Sequence, residues 1–132
     1  MTDKLKSELE KLKGLSVLYV EDDINVRESL LRFLRRRFDN IHYAKDGKEG
    51  LAQYMEHKPD IVITDIQMPM MDGLEMASRI MQDNPEVKII VTTAFNEEPF
   101  LERAGKLGIE HYIKKPVLKD DLVSSLLECV GS

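Results

Sequence analysis

An α/β sandwich, a parallel sheet with helices on both faces, is the fold this sequence predicts, and three observations carry it. Five short apolar runs alternate with five helical patterns over residues 15–130. The connections between them are short, as in right-handed βαβ crossovers, which lay helices on both faces of a sheet. The third run, Ile61-Val62-Ile63-Thr64, is apolar or β-branched throughout between Pro59-Asp60 and Pro69, as expected of a strand buried on both sides.

Residues 1–13 form an N-terminal extension with Leu5, Leu9 and Leu12 at i, i+4 and i+7 among Lys and Glu, ahead of Gly14. This spacing predicts an amphipathic helix that is marginal in water at its length and frays unless it docks. The main domain is expected over residues 14–132. Its first strand, residues 15–20, runs into Glu21-Asp22-Asp23. Asn25-x-x-Glu28 approximates a capping box, and Val26, Leu30, Phe33, Leu34 and Phe38 follow at helical spacing. A short strand over residues 41–44 precedes the turn signal Asp46-Gly47, and Leu51, Tyr54 and Met55 mark a second helix reaching His57. After the third strand, residues 60–64, Asp72-Gly73 opens a third helix with Leu74, Ala77, Ile80 and Met81 on one face and Asn84-Pro85 at its end. Residues 87–92 read as the fourth strand. Asn96 can cap a fourth helix with Pro99 in its first turn, Gly105 weakens it, and Gly108 can end it in a left-handed conformation. Residues 110–113 are a short fifth strand, and Leu118, Leu122, Leu126 and Val130 carry the last helix.

Composition narrows the function. The chain has 132 residues, 42% hydrophobic and 33% charged, within the range of one folded domain. No apolar run approaches the roughly 18 residues of a membrane span, and residues 1–13 lack the apolar core of a signal peptide, so the expected address is the cytoplasm. A net charge of −5 argues against nucleic acid as a ligand of the domain. Arg35-Arg36-Arg37 is a local exception, read as a solvated helix end whose cations suit the helix C-terminus. Lone Cys129 reads as a packed thiol, and His42, His57 and His111 are too scattered for a metal site or a histidine base. Met68, Met70 and Met71 read as loop packing.

Asp65 stands at the carboxyl end of the third strand, where open α/β sheets bind ligands. With the acid pair Glu21-Asp22, the Met68-Pro69 and Asp72-Gly73 pairs, Thr93-Ala94 and Lys115-Pro116 in order at compatible spacing, the chain resembles two-component response-regulator receiver domains of the chemotaxis-regulator type. The resemblance covers residues 15–130. It implies a flavodoxin-like sheet of order 2-1-3-4-5, which brings the carboxyl ends of the first, third and fourth strands together. Carboxylates gathered there would repel unless a cation sits among them, and hard oxygen ligands select Mg²⁺. The resemblance gives Asp22 and Asp65 as direct ligands, Glu21 acting through water, and the main-chain carbonyl of Gln67 completing the protein share. Asp23 reads as electrostatic support for the following helix.

The same resemblance makes Asp65 the acceptor of a phosphoryl group from a sensor histidine kinase or phosphotransfer protein. Thr93 would donate its hydroxyl to a phosphoryl oxygen, and Lys115 its ammonium, ahead of a cis bond to Pro116. Thr92 and Lys114, on opposite strand faces from these, read as packing and solvated residues. On phosphorylation Thr93 and Tyr112 are implied to move together, reshaping the face of the fourth helix, fifth strand and fifth helix of the main domain for an output domain or effector. Gln67 and Phe95 are implied to flank the path of water to the phosphoryl group. Beyond its own phosphorylation and dephosphorylation the domain is expected to catalyse nothing. A haloacid-dehalogenase-like phosphatase needs a second Asp where Gln67 stands. A flavin carrier needs a phosphate-cradling loop where Glu21-Asp22-Asp23 stands. A pseudo-receiver, a docking module without phosphorylation, is the remaining alternative, although such a module loses acids, Thr or Lys that this chain retains.

Overall fold

The computed structural model describes residues 3–94 and 98–131. Helix α1 spans Asp3–Lys13, followed by β1 Ser16–Val20, α2 Ile24–Arg35, β2 Asn40–Ala44, α3 Gly47–His57, β3 Ile61–Asp65, α4 Gly73–Asp83, β4 Lys88–Thr93, α5 Glu98–Lys106, β5 His111–Lys114 and α6 Lys119–Gly131. The five strands form one parallel sheet of order β2-β1-β3-β4-β5, as the resemblance implies. The main domain's helices are therefore α2 to α6, one number higher than their place in the main-domain pattern. Phe95 and the expected cap Asn96 lie outside the described residues.

Strand alternation divides the core in two. Val17, Tyr19, Ile61, Ile63 and Ile90 face α1, α2 and α6, where Leu31, Leu34, Leu122 and Leu126 close over them. Leu18, Val20, Val62, Ile89 and Val91 face α3, α4 and α5, meeting Tyr54, Leu74, Met76 and Ile80. Every residue of β3 is buried, which explains its continuous apolar run. Cys129 is packed in the first cluster, and burial pushes its thiol up to about 11, so it is an inert core group as expected. Among the described residues no helix is long and apolar enough to cross a membrane.

Several expectations need correction. The N-terminal helix does not fray: Leu12 is fully buried against the α2 and α6 side chains and Leu9 packs beside it. The side chain of Leu5 lies outside the described residues. Helix α2 is capped by Asp23 and not by Asn25; the Asp23 carboxylate accepts from the Asn25 and Val26 N–H groups, which places Asn25 inside the helix. A charged acceptor in extended backbone two residues earlier wins that place. Val26 consequently turns outward, 38% exposed. Phe38 stays buried beyond the end of the helix. Strands β3, β4 and β5 each sit one residue later than the periodicity indicated, so Asp65, Thr93 and Lys114 end them. His42 and His57 are not scattered; their rings stack with centroids 3.8 Å apart where β2 meets the end of α3. Pro99 lies in the first turn of α5 and Gly108 adopts φ +90 after it, as read from the sequence, and the Asp46-Gly47 and Asp72-Gly73 pairs start α3 and α4 with Asp46 and Asp72 as their caps.

Candidate functional site

Because β1, β3 and β4 are neighbours, with Val20 level with Thr64 and Asp65 level with Thr92, their carboxyl ends open onto one place. Glu21 follows β1 and is 1% exposed, Asp65 ends β3 at 6%, and Asp22 is exposed at the rim. One carboxylate oxygen from each of these three acids lies within 4.8 Å of the others. Lys115, just past β5, reaches over them: its Nζ donates to Asp65 Oδ2 at 2.8 Å and to Glu21 Oε1 at 3.0 Å. The second oxygen of Asp65 accepts from the Ile66 N–H at 2.8 Å, and that of Glu21 from the Asp23 N–H at 3.1 Å. Both buried carboxylates are thus fixed at two points.

Electrostatics follow from this crowding. Burial holds the Glu21 carboxyl above its ordinary range, the Asp65 charge adds to that, and the Asp23 N–H and Lys115 pull against it. Burial alone would weaken Lys115 as a base, yet hydrogen bonds and charge from Asp65 and Glu21 outweigh it and raise its pKa. The ammonium is therefore present at neutral pH as the counter-charge to the buried acids. Three hard carboxylate donors at this spacing suit a small divalent cation such as Mg²⁺.

Close backbone packing holds the acceptor loop. A Cβ on Gly73 would fall 1.9 Å from the Asp65 carbonyl oxygen, and the Gly73 N–H donates to the Ile66 carbonyl at 2.7 Å, so the chain folds back directly over the acid. A Cβ on Gly47 would fall 2.1 Å from the Met71 carbonyl oxygen, so the start of α3 rests against the same loop. Met68 and Met71 pack into the core, as expected of them, whereas Met70 is 73% exposed at φ 72. Gln67 is exposed on the loop, two residues past Asp65.

Thr93 is 3% exposed at the end of β4, its hydroxyl donating to the Ala94 carbonyl at 3.2 Å. Thr92 is buried on the opposite strand face, and Lys114 is exposed. Tyr112 stands at the surface, 36% exposed, its hydroxyl donating to the Ile109 carbonyl, with burial and Glu110 raising its pKa. The Lys115-Pro116 bond is cis. Beside Lys115 a largely apolar cleft of about 640 Å³ is lined by Val26, Leu30, Ala94, Pro116 and Val117 among others. Sequence reasoning missed Arg27, whose Nη1 donates to the Glu21 carbonyl at 2.9 Å and whose guanidinium lies over the Tyr43 ring, tying α2 to the acid loop. Nothing in the local pattern marked it. The glycines of Asp46-Gly47 and Asp72-Gly73 were visible as turn signals but not as supports of Asp65.

Comparison with known proteins agrees with this fold. Residues 17–127 match the response regulator receiver domain family. The chain is similar to the chemotaxis protein CheY of Halobacterium salinarum, 34% identical over 110 residues that cover 83% of this chain and 92% of that protein. It is also similar to the uncharacterized transcriptional regulatory protein YesN of Bacillus subtilis, 38% identical over 91 residues, 69% of this chain but only 25% of YesN. A crystal structure of the N-terminal domain of an uncharacterized protein from Wolinella succinogenes superposes with a TM-score of 0.83 at 36% identity, covering 89% of this chain and 94% of the other. With the family matched over most of its length and the sheet order reproduced, the chain belongs to the response regulator receiver domains of two-component signalling.

Proposed function

We propose that this receiver domain takes a phosphoryl group onto Asp65 from the phosphohistidine of a sensor histidine kinase or phosphotransfer protein, and that the modified state alters the face of α5, β5 and α6 for an output domain or effector. The observation that carries this is the grouping of Glu21, Asp22 and Asp65 within 4.8 Å under the Lys115 ammonium. A Mg²⁺ held by Glu21, Asp22, Asp65 and the Gln67 main-chain carbonyl would neutralise charge on the transferring group. The residues supply the rest. One Asp65 oxygen is held by the Ile66 N–H, which fixes the carboxylate while the other attacks phosphorus. As that P–O bond forms, the P–N bond to the donor imidazole breaks and its electron pair returns to the ring nitrogen.

Lys115 then exchanges its bond to Asp65 Oδ2 for a phosphoryl oxygen, and the Thr93 hydroxyl leaves the Ala94 carbonyl for another. Movement of Thr93 frees room beneath β5, and Tyr112 gives up its bond to the Ile109 carbonyl to turn inward. The exposed Ile24, Val26 and Leu118 near the apolar cleft suit the approach of the donor protein beside Lys115. The proposed address is the cytoplasm. Beryllofluoride with Mg²⁺ tests this reading: fluorine NMR should show one bound species in the wild type and none in Asp65→Asn, whereas no binding to the wild type would leave a docking module without phosphorylation.

A further inference from the structure

The arginine run that reads as a helix end in the sequence meets cations from two other helices. A cleft of about 270 Å³ between α2 and α6 is lined by Ser29, Arg32, Phe33, Arg36, Arg37 and Lys119. A second cleft of about 410 Å³ shares Arg36 and Arg37 with it and continues to Lys6 and Lys13 of α1, with Glu10 as its one acid. Ser29 and Arg32 stand at i and i+3 on one face of α2, and Arg36, its C-cap residue in αR backbone, follows at i+7. Six cations, four on three helices and two just past the end of α2, therefore line two adjoining clefts in a chain whose net charge is −5.

Support for helix ends does not account for this. Cations near the C-terminus of α2 complement its dipole, but Lys119 opens α6, where a cation opposes the dipole. Among the described residues none of the six is in an ion pair, although the chain carries 24 acids. Arg37 is pinned: its guanidinium lies 3.8 Å from the Phe33 ring, Nη1 donates to the Phe33 carbonyl at 3.3 Å, and Nε is buried without a partner. Its basicity is lowered first by burial and then by the like charge of neighbouring Arg36.

We infer that these clefts form an anion site, separate from Asp65, for a small molecule bearing two or more phosphate groups. Planar guanidinium forks match phosphate oxygens two at a time, and two clefts with a shared arginine wall suit linked phosphates better than a single one. The small concave volumes and the buried Phe33 ring, which leaves no aromatic face for a base to stack on, favour a free phosphate compound over nucleic acid.

Calorimetric titration of the full chain with tripolyphosphate, in chelator to keep Mg²⁺ away from Asp65, tests the inference. One molecule should bind per chain, and the double variant Arg32→Gln, Arg36→Gln should weaken it at least about tenfold, as loss of charge-assisted hydrogen bonds does. The variant should keep the wild-type melting temperature and its response to Mg²⁺. Citrate binding as tightly as tripolyphosphate, a short single-stranded oligonucleotide binding more tightly, undiminished binding by the double variant, or no binding by the wild type would each overturn the assignment.

Discussion

The Lys115 ammonium stands 2.8 Å from the Asp65 carboxylate although 50 residues separate the two in the chain. The contact joins the end of β5 to the end of β3 across β4, and the same nitrogen reaches Glu21 beyond β1. One cation therefore balances two buried acids at the centre of the site. Its hold depends on the protonation of those acids, and the first prediction tests that dependence.

Glu21 has a carboxyl raised above its ordinary 4.5, chiefly by burial. A carboxyl that binds its proton more tightly folded than unfolded costs stability as pH rises from 4.5 through the folded value, and the full cost persists above it. Glu21→Gln removes the charge. In metal-free urea denaturation the variant should be the more stable protein at neutral pH, and the two curves should converge in acid below 4.5. Equal stability at neutral pH would contradict the burial penalty.

Asp22 is exposed, so its loss relieves repulsion without opening a cavity. Asp22→Ala should melt at or above the wild-type temperature in chelator. An ion that binds only the folded protein raises the melting temperature by mass action, and the variant should lose most of the rise that Mg²⁺ gives the wild type. An undiminished rise would remove Asp22 from the metal site.

Leu12 makes α1 part of the folded domain. Its side chain is fully buried in the cluster that includes Leu126 and Cys129. Leu12→Ala should cost about 3 kcal/mol in denaturant titrations, the range for truncating a buried leucine. A cost near zero would mean that α1 is not packed in solution.

Met70 holds φ 72 at 73% exposure, a left-handed conformation that an unbranched apolar side chain enters at a cost. Asparagine tolerates it better, so Met70→Asn should stabilise the protein by about 1 kcal/mol. Thermal melts of the two proteins decide it, and a fall in stability would assign packing value to the exposed methionine.

Much of the fold was legible because it depends on short-range pattern. The continuous β-branched run before Asp65, bounded by prolines, reads as a two-sided strand, and Asp46-Gly47, Asp72-Gly73 and Gly108 mark local backbone events that tertiary packing leaves unchanged. What was misread depends on contacts between distant segments. Leu12 is buried because side chains of α2 and α6 share its cluster, His42 stacks on His57 because β2 meets the end of α3, and Arg27 matters through the Glu21 carbonyl. The cap of α2 was misplaced for a local reason, since Asp23 and Asn25 are both good caps and only the extended backbone at Asp23 decides between them. In the site, the meeting of Glu21, Asp22 and Asp65 with Lys115 was legible through the family resemblance, because those residues stand at or just past the ends of strands whose order the resemblance implies. The glycine contacts that fold the loop over Asp65 were not, because a close backbone approach leaves no trace in periodicity.

Central to this account is a single phosphoacceptor. Intact-mass spectrometry after incubation with a small-molecule phosphodonor and Mg²⁺ measures it most directly. The wild type should gain one phosphate that survives acid and is lost in base, and Asp65→Asn should gain none. Equal labelling of Asp65→Asn, or a phosphate on the wild type that resists base, would contradict it.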